Sequence, residues 1–267
     1  MDTKETIAHI DFYFDPICPL SWRTALWVRE VRKVRPVDVQ WRLFSLEVLN
    51  RQEGVEPDYV NGLGWTALRT LALARRQGGN DAVERLYLAL GNAEHGHKES
   101  IGQREVVVAA TKEADLAPGT VDAALADQST IQDVLNDHEE AVKRYHAFCV
   151  PTIAFEGSDI GFYGPIIHTV PRGEQAGELW DYISWMLRQP NLFELKRDRS
   201  YVEWGPVMGE SRIAGGNMAQ RGTYNPPVVR GGLSIPLAVA LLAVLLGAAI
   251  FFRVKHMLRT VSSGQRR

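Results

Sequence analysis

A chain of 267 residues, 45% of them hydrophobic, is long enough to bury one sizeable core and a small second lobe. Its 30 Lys and Arg against 32 Asp and Glu leave a formal charge of −2, which excludes the basic footprint of a nucleic-acid-binding domain. Two cysteines, Cys18 and Cys149, are too few for a secreted disulfide scaffold and suit a reducing compartment.

The first ten residues carry Asp2, Lys4 and Glu5 and no apolar run, so no cleavable secretory signal is read there. Ile10, Phe12 and Phe14 then alternate with Asp11 and Tyr13, the pattern of a strand. Asp15-Pro16-Ile17-Cys18-Pro19-Leu20-Ser21-Trp22 follows and opens an amphipathic helix, with Pro19 in the first turn. Free N–H groups and the dipole at a helix start favour negative charge, so Cys18 is expected to have a lowered pKa and to act as a thiolate nucleophile. The helix runs on through Trp22, Leu26 and Val34, with Arg23, Arg29, Arg32, Lys33 and Arg35 read as a largely solvated face, and Pro36 stops it. Val37, Val39, Trp41 and Leu43 form a second strand with one buried face, and a helix of this length favours a parallel, right-handed crossover. Trp22 and Trp41 are read as core.

The middle, about 56 to 147, is helical. Asn80 is expected to cap a helix whose Val83, Leu86, Tyr87 and Leu90 share a face; a shorter helix covers Glu105 to Ala114, and Thr120 starts the next. Ser129 is expected to cap a longer one, with Ile131, Val134, Leu135, His138 and Val142 on one stripe. His95 and His97, with Glu94 and Glu99, read as a solvated polar loop; no spacing typical of zinc occurs, and no metal site is expected.

Extended structure returns at 149 to 155, followed by a turn at Glu156-Gly157-Ser158, an antiparallel partner from Ile160 to Tyr163, and a closing helix from Gly173 to Leu187. Proline inside a sheet belongs at an edge, a strand start or a cis turn, which bears on Pro151. Strand alternation turns Cys149 away from the face of Val150, so Cys149 is expected to be a buried structural thiol and not a partner for Cys18.

Strand-helix-strand, a helical insert, then strand-strand-helix, with a thiol at the first helix and Val-Pro-Thr at the third strand, resembles an α/β thioredoxin fold of the DsbA type. Phe-Asp-Pro-x-Cys-Pro at 14–19, Ser45-Leu46-x-Val48-Leu49-Asn50, Pro151-Thr152-Ile153, Phe162-x-Gly164-Pro165, Pro171-Arg172-Gly173-Glu174 and Leu192-Phe193-Glu194-Leu195-Lys196-Arg197 are similar to the actinobacterial mycothiol-dependent DsbA-like reductase family. The resemblance covers about residues 8 to 198. It implies a thiol-disulfide enzyme that uses a low-molecular-weight thiol, mycothiol, on disulfides or electrophilic nitroaromatic compounds. By the same resemblance Cys18 is the attacking thiolate, Pro151 the cis-proline facing it, and Pro19, Asn50, Tyr59, His95 and Val150 belong to the thiol cofactor's pocket. Asn50 equally suits a cap or turn, and Tyr59 an ordinary helix-face aromatic. Where dithiol members end in Trp and a second Cys, this chain has Leu20 and Ser21, which implies a monothiol cycle with Ser21 stabilising the Cys18 thiolate. Two further readings stand beside it: a thiol transferase or isomerase in which Ser21 helps hold a bound activated thiol, and a non-catalytic domain that binds a membrane partner.

Leu233 to Phe252 is twenty residues without a charge, enough at about 1.5 Å per helical residue to cross a hydrocarbon core of about 30 Å. It reads as a single C-terminal transmembrane helix, with 199–232 as a flexible linker before it and 253–267 as a basic tail. The lipid bilayer is thus an expected partner. The positive-inside rule would put the basic tail in the cytoplasm, but the missing signal, the few cysteines and a cytosolic thiol pool favour a cytoplasmic thiol domain at the cell membrane.

Overall fold

The computed structural model describes residues 7–52, 54–197 and 203–209. Four strands, β1 (Ala8–Phe14), β2 (Val37–Leu43), β3 (Thr152–Phe155) and β4 (Gly161–Tyr163), form one sheet in the order β2-β1-β3-β4. β1 and β2 are parallel, joined through the helix α1 (Pro19–Val31) as a crossover connection requires, while β3 runs antiparallel to both β1 and β4. Between β2 and β3 lie α2 (Leu46–Asn50), α3 (Trp65–Gly91), a π-helical turn (Asn92–His97), α4 (Arg104–Glu113), α5 (Thr120–Ala126) and α6 (Ser129–Tyr145); α7 (Glu174–Leu187) closes the domain. This is the α/β thioredoxin fold of DsbA type, with its helical insertion.

β1 sits centrally and is buried on both faces. Ile10, Phe12 and Phe14 pack with Trp27, Trp41 and Tyr87 in the main core, where the Phe14 and Tyr87 rings stack at 3.8 Å. On the other face Tyr13 joins Cys18, Phe44, Tyr145 and Val150 in a second cluster beneath α6. The thiol therefore belongs to the smaller core. Trp22 and Trp41 are both buried, as the sequence suggests.

Local signals acted differently at three places. α3 contains a break at Gly78 and Gly79, the latter at φ 66°, and Asn80 just after it does not cap a helix. Its Nδ2 donates to Val39 O at 2.7 Å and its Oδ1 accepts Trp41 N–H at 2.9 Å, so it satisfies the outer edge of β2, which no further strand covers among the described residues. At α6 the cap is supplied by Asp127, whose Oδ1 accepts both the N–H and the hydroxyl of Ser129 at 2.9 and 2.6 Å. On α1 the basic run is not simply solvated. Arg23 is buried, Arg29 and Arg32 share Glu84 at 2.7 and 2.6 Å, and Arg35 reaches Glu174 and Asp181 on α7.

Residues 203–209, read from sequence as part of a flexible linker, lie packed along α1 and the π-helical turn. Trp22 Nε1 donates to Val207 O at 2.9 Å, Val207 N–H donates to His95 O at 3.1 Å, and Asn92 exchanges two hydrogen bonds with the Gly209 backbone. Arg23 donates to the carbonyls of His168 and Gly205, fastening this strap to the loop after β4. The rest of the linker, the apolar stretch 233–252 and the tail 253–267 lie outside the described residues. Among the described residues no helix is long and apolar enough to cross a membrane.

Candidate active site

Asp15 ends the β1 segment and its carboxylate shapes the loop that carries the thiol. Oδ1 accepts Ile17 N–H at 3.1 Å, Oδ2 accepts Leu46 N–H at 2.7 Å, and Asp15 O accepts Cys18 N–H at 2.9 Å. The chain then enters α1 with Cys18 as N-cap, Pro19 at the first helical position, and the sulfur accepting Ser21 N–H at 3.4 Å. Across from it the Val150–Pro151 peptide is cis, and the Cys18 thiol donates to Val150 O at 3.5 Å. Cys18, Ser21, Val150 and Pro151 thus come together, from two segments 132 residues apart in sequence.

The electrostatics correct the expectation for Cys18. Only 4% of the residue is exposed, and burial pushes its pKa up, with the Asp15 charge adding to the rise; the Ser21 hydroxyl and the N–H groups of Ser21 and Leu20 pull it down less than burial raises it. The resting sulfur is a thiol. Ser21 Oγ is itself buried and makes no hydrogen bond, but it lies close enough to the sulfur that turning its proton there favours a thiolate. Asp15 is fully buried and its pKa is pushed up to about 7 by desolvation, against the two N–H groups that hold it. Tyr87, buried without a partner for its hydroxyl, is pushed far up by burial and then by the Cys18 charge.

His95 is not in a solvated loop. It sits half-buried on the π-helical turn, its ring stacked on Trp22 at 6.1 Å and its Nε2 2.9 Å from Pro16 O, so it supports the thiol loop from below. Burial lowers its pKa, which keeps the ring neutral. Glu94 accepts Ile101 N–H at 2.8 Å. Asn50 closes α2 with Nδ2 on Leu46 O at 2.8 Å and is exposed; Tyr59 packs edge-on against Trp65 at 4.8 Å with its hydroxyl 3.3 Å from Glu56. Neither makes a hydrogen bond to Cys18, Ser21 or Pro151. Asn50 nevertheless shares α2 with Leu46, which Asp15 ties to the thiol loop. A groove of about 820 Å³ lies elsewhere, between α1, His168–Val170 and the strap, and Cys18 does not line it.

Cys149 is where strand alternation misleads. β3 begins only at Thr152, so residues 149 and 150 form a bend before the strand, and Cys149 is half-buried, not enclosed. Its thiol donates to Val150 O at 3.7 Å, the same oxygen that Cys18 addresses. Asp15 and this shared carbonyl were missed by sequence reading. A buried acid three residues before a cysteine has no periodic signal, and the bend breaks the alternation on which the Cys149 expectation rested.

A thiol at the cap of the first helix, faced by an X-Pro bend at the start of β3, defines a thiol oxidoreductase site of the DsbA-like thioredoxin class. In fold the chain is similar to the probable DsbA oxidoreductase SCO1869 of Streptomyces coelicolor, with TM-score 0.50 and 18% identity over 76% of this chain and all of that one. The chain belongs to the Rv2466c-like family, that of the mycothiol-dependent nitroreductase Rv2466c, whose model matches residues 17–197. It is also 32% identical over 198 residues to Rv2286c, an uncharacterized protein of Mycobacterium tuberculosis, covering 72% of this chain and 82% of the relative.

Proposed function

We propose that the chain is a mycothiol-linked thiol-disulfide oxidoreductase that works through one motif cysteine and is held at a membrane. The observation that carries this is the pairing of Cys18, as sulfur N-cap of α1, with Ser21 where dithiol enzymes carry their second thiol. Cys18 as thiolate attacks a disulfide, one S–S bond forms as another breaks, and the released thiolate takes a proton. Mycothiol then attacks the mixed disulfide, frees Cys18 and leaves carrying the group as a new disulfide. Pro19 and Val150 border the sulfur, with His95 behind the loop; Asn50 and Tyr59 are assigned to the outer part of the thiol's pocket. Nitroaromatic or other electrophilic compounds are a further substrate class for the same thiolate.

The chargeless run from Leu233 to Phe252 supports a single membrane anchor, with the thiol domain on the cytoplasmic side. Protease treatment of sealed vesicles checks it: a domain digested from the cytoplasmic face agrees, a shielded one reverses the orientation. For the chemistry, the full chain in detergent is exposed to mycothiol disulfide and its mass read. In the full chain carrying Cys149→Ser, which leaves Cys18 as its one thiol, one mycothiol adduct mapped to Cys18 and removed by free mycothiol is expected; no adduct on Cys18 in that variant excludes the cycle.

The buried, unpartnered Ser21 hydroxyl and the raised Cys18 pKa favour one second reading, a transferase or isomerase in which Ser21 holds a bound activated thiol. Activity that survives Cys18→Ala distinguishes it.

A further inference from the structure

Cys18 and Cys149 donate to one oxygen, Val150 O, at 3.5 and 3.7 Å, so their sulfurs are no farther apart than the sum of these two lengths. Both are free. The segment between α6 and β3 that carries Cys149 forms neither helix nor strand, and its backbone turns through a left-handed His146 at φ 52°. An S–S bond of about 2.05 Å needs the cysteine Cα atoms within about 7 Å of each other. Closing the gap between the two sulfurs requires rotation of both side chains off their common acceptor and movement of the short irregular segment that carries Cys149. The two thiols also differ in access, since Cys18 is nearly enclosed and Cys149 is half-exposed.

We infer that Cys149 is an internal resolving thiol, doing from the bend before β3 what Ser21 cannot do from α1. The inference rests on the proposed chemistry of Cys18 and amends its second half. A disulfide RS–SR is attacked by Cys18, giving Cys18–S–SR and one RS−, which is protonated. Cys149 then attacks the Cys18 sulfur as thiolate; the Cys18–Cys149 bond forms, the Cys18–SR bond breaks, and the second RS− leaves and takes up a proton. Two cysteine thiols are oxidised by two electrons and one RS–SR is reduced to two RSH. A low-molecular-weight thiol restores both cysteines by exchange at the more accessible Cys149 sulfur, in two steps that oxidise two such thiols to their disulfide.

The test exposes the full chain in detergent to bis(2-hydroxyethyl) disulfide and follows intact mass and peptide maps, comparing wild type with Cys149→Ser and Cys149→Ala, each checked for folding by circular dichroism. Wild type is expected to lose two hydrogens with no lasting adduct and to yield a Cys18–Cys149 cross-linked peptide, whereas both variants hold one hydroxyethylthio group on Cys18. An internal thiol acts at an effective concentration in the millimolar range, so the adduct should be at least about tenfold shorter-lived in wild type. If the Cys18 adduct persists equally in wild type and in the folded variants, or no cross-link forms, the inference falls while the proposed function stands. If the variants take no adduct on Cys18, both fall together.

Discussion

Asp15 Oδ2 accepts the backbone N–H of Leu46 at 2.7 Å, joining the thiol loop to the first turn of α2. The same carboxyl is buried beside Cys18, and with a pKa pushed up to about 7 it is ionised before the thiol, whose own pKa burial has raised. Thiolate therefore forms next to a negative charge. Asp15→Asn removes that charge, so the Cys18 pKa, read from the pH dependence of alkylation in Cys149→Ser, should fall. A folded pKa raised above the ordinary carboxylate value stabilises fully at low pH and less as pH rises through about 7, so Asp15→Asn should also flatten a loss of stability in the wild type between about pH 4 and 7. A thiol pKa that does not fall, or an unaltered stability profile, counts against this account.

Ser21 supplies two things to the sulfur, a backbone N–H at 3.4 Å and a buried hydroxyl with no other partner. Ser21→Ala keeps the first and deletes the second. Because the lost group is an unsatisfied polar atom in the folded protein, unfolding free energy should stay within about 1 kcal/mol of wild type or rise. Alkylation of Cys18 at fixed pH should slow. Loss of stability with unchanged reactivity would mean that the hydroxyl serves packing and not the thiolate.

His138 is buried on α6, its ring 4.3 Å from that of Phe44, and desolvation with the Arg51 charge pushes its pKa down to about 4. A depressed histidine stabilises fully above its unfolded value and loses this as pH falls through the folded one. Between about pH 6.5 and 4 the chain should lose up to roughly 3 kcal/mol from this group. His138→Asn, which retains an acceptor toward Ser45 N–H, should be less stable at pH 7 yet show a smaller acid-induced drop. An equal drop in the variant assigns the acid sensitivity to other groups.

β1, β2 and the start of α1 were legible because the strands carry period-two alternation and Pro19 opens the helix, whereas α1 ends at Val31, short of the Val34 and Pro36 that the sequence reading gave it. The motif at 14–19 and Pro151 were legible as local blocks of sequence, and the fold brings Cys18 and the Val150–Pro151 bend together. What sequence could not show was long-range. Asn80 looks like a cap until the bare edge of β2 claims its amide, and the basic face of α1 looks solvated until Glu84, Asp181 and the strap reach it. The thiol pKa was misjudged in direction because a helix start is visible in sequence, whereas the packing of Tyr13, Phe44 and Val150 around the sulfur is not. Cys149 depended on where β3 begins, a boundary of two or three residues.

The strap of residues 203–209 gives a prediction that joins fold to site. Asn92 is buried, and its side chain donates to Gly209 O at 3.2 Å and accepts Gly209 N–H at 2.7 Å, imitating one rung of a ladder. One turn on, Val207 N–H meets His95 O, and His95 in turn reaches the thiol loop at Pro16 O. Asn92→Ala breaks both bonds to Gly209 and should cost about 1–3 kcal/mol, which for a domain of this size lowers the melting temperature by several degrees. Hydrogen exchange on the full chain localises the effect: the amides of Val207 and Gly209 should lose protection while those of β1 keep theirs. Asn80→Ala serves as the contrast, loosening the β2 edge with the strap left in place. If Val207 and Gly209 exchange as slowly in Asn92→Ala as in wild type, the strap is held by its other contacts, with Arg23, Trp22, His168 and His95 O among them, and its coupling to His95 does not pass through Asn92.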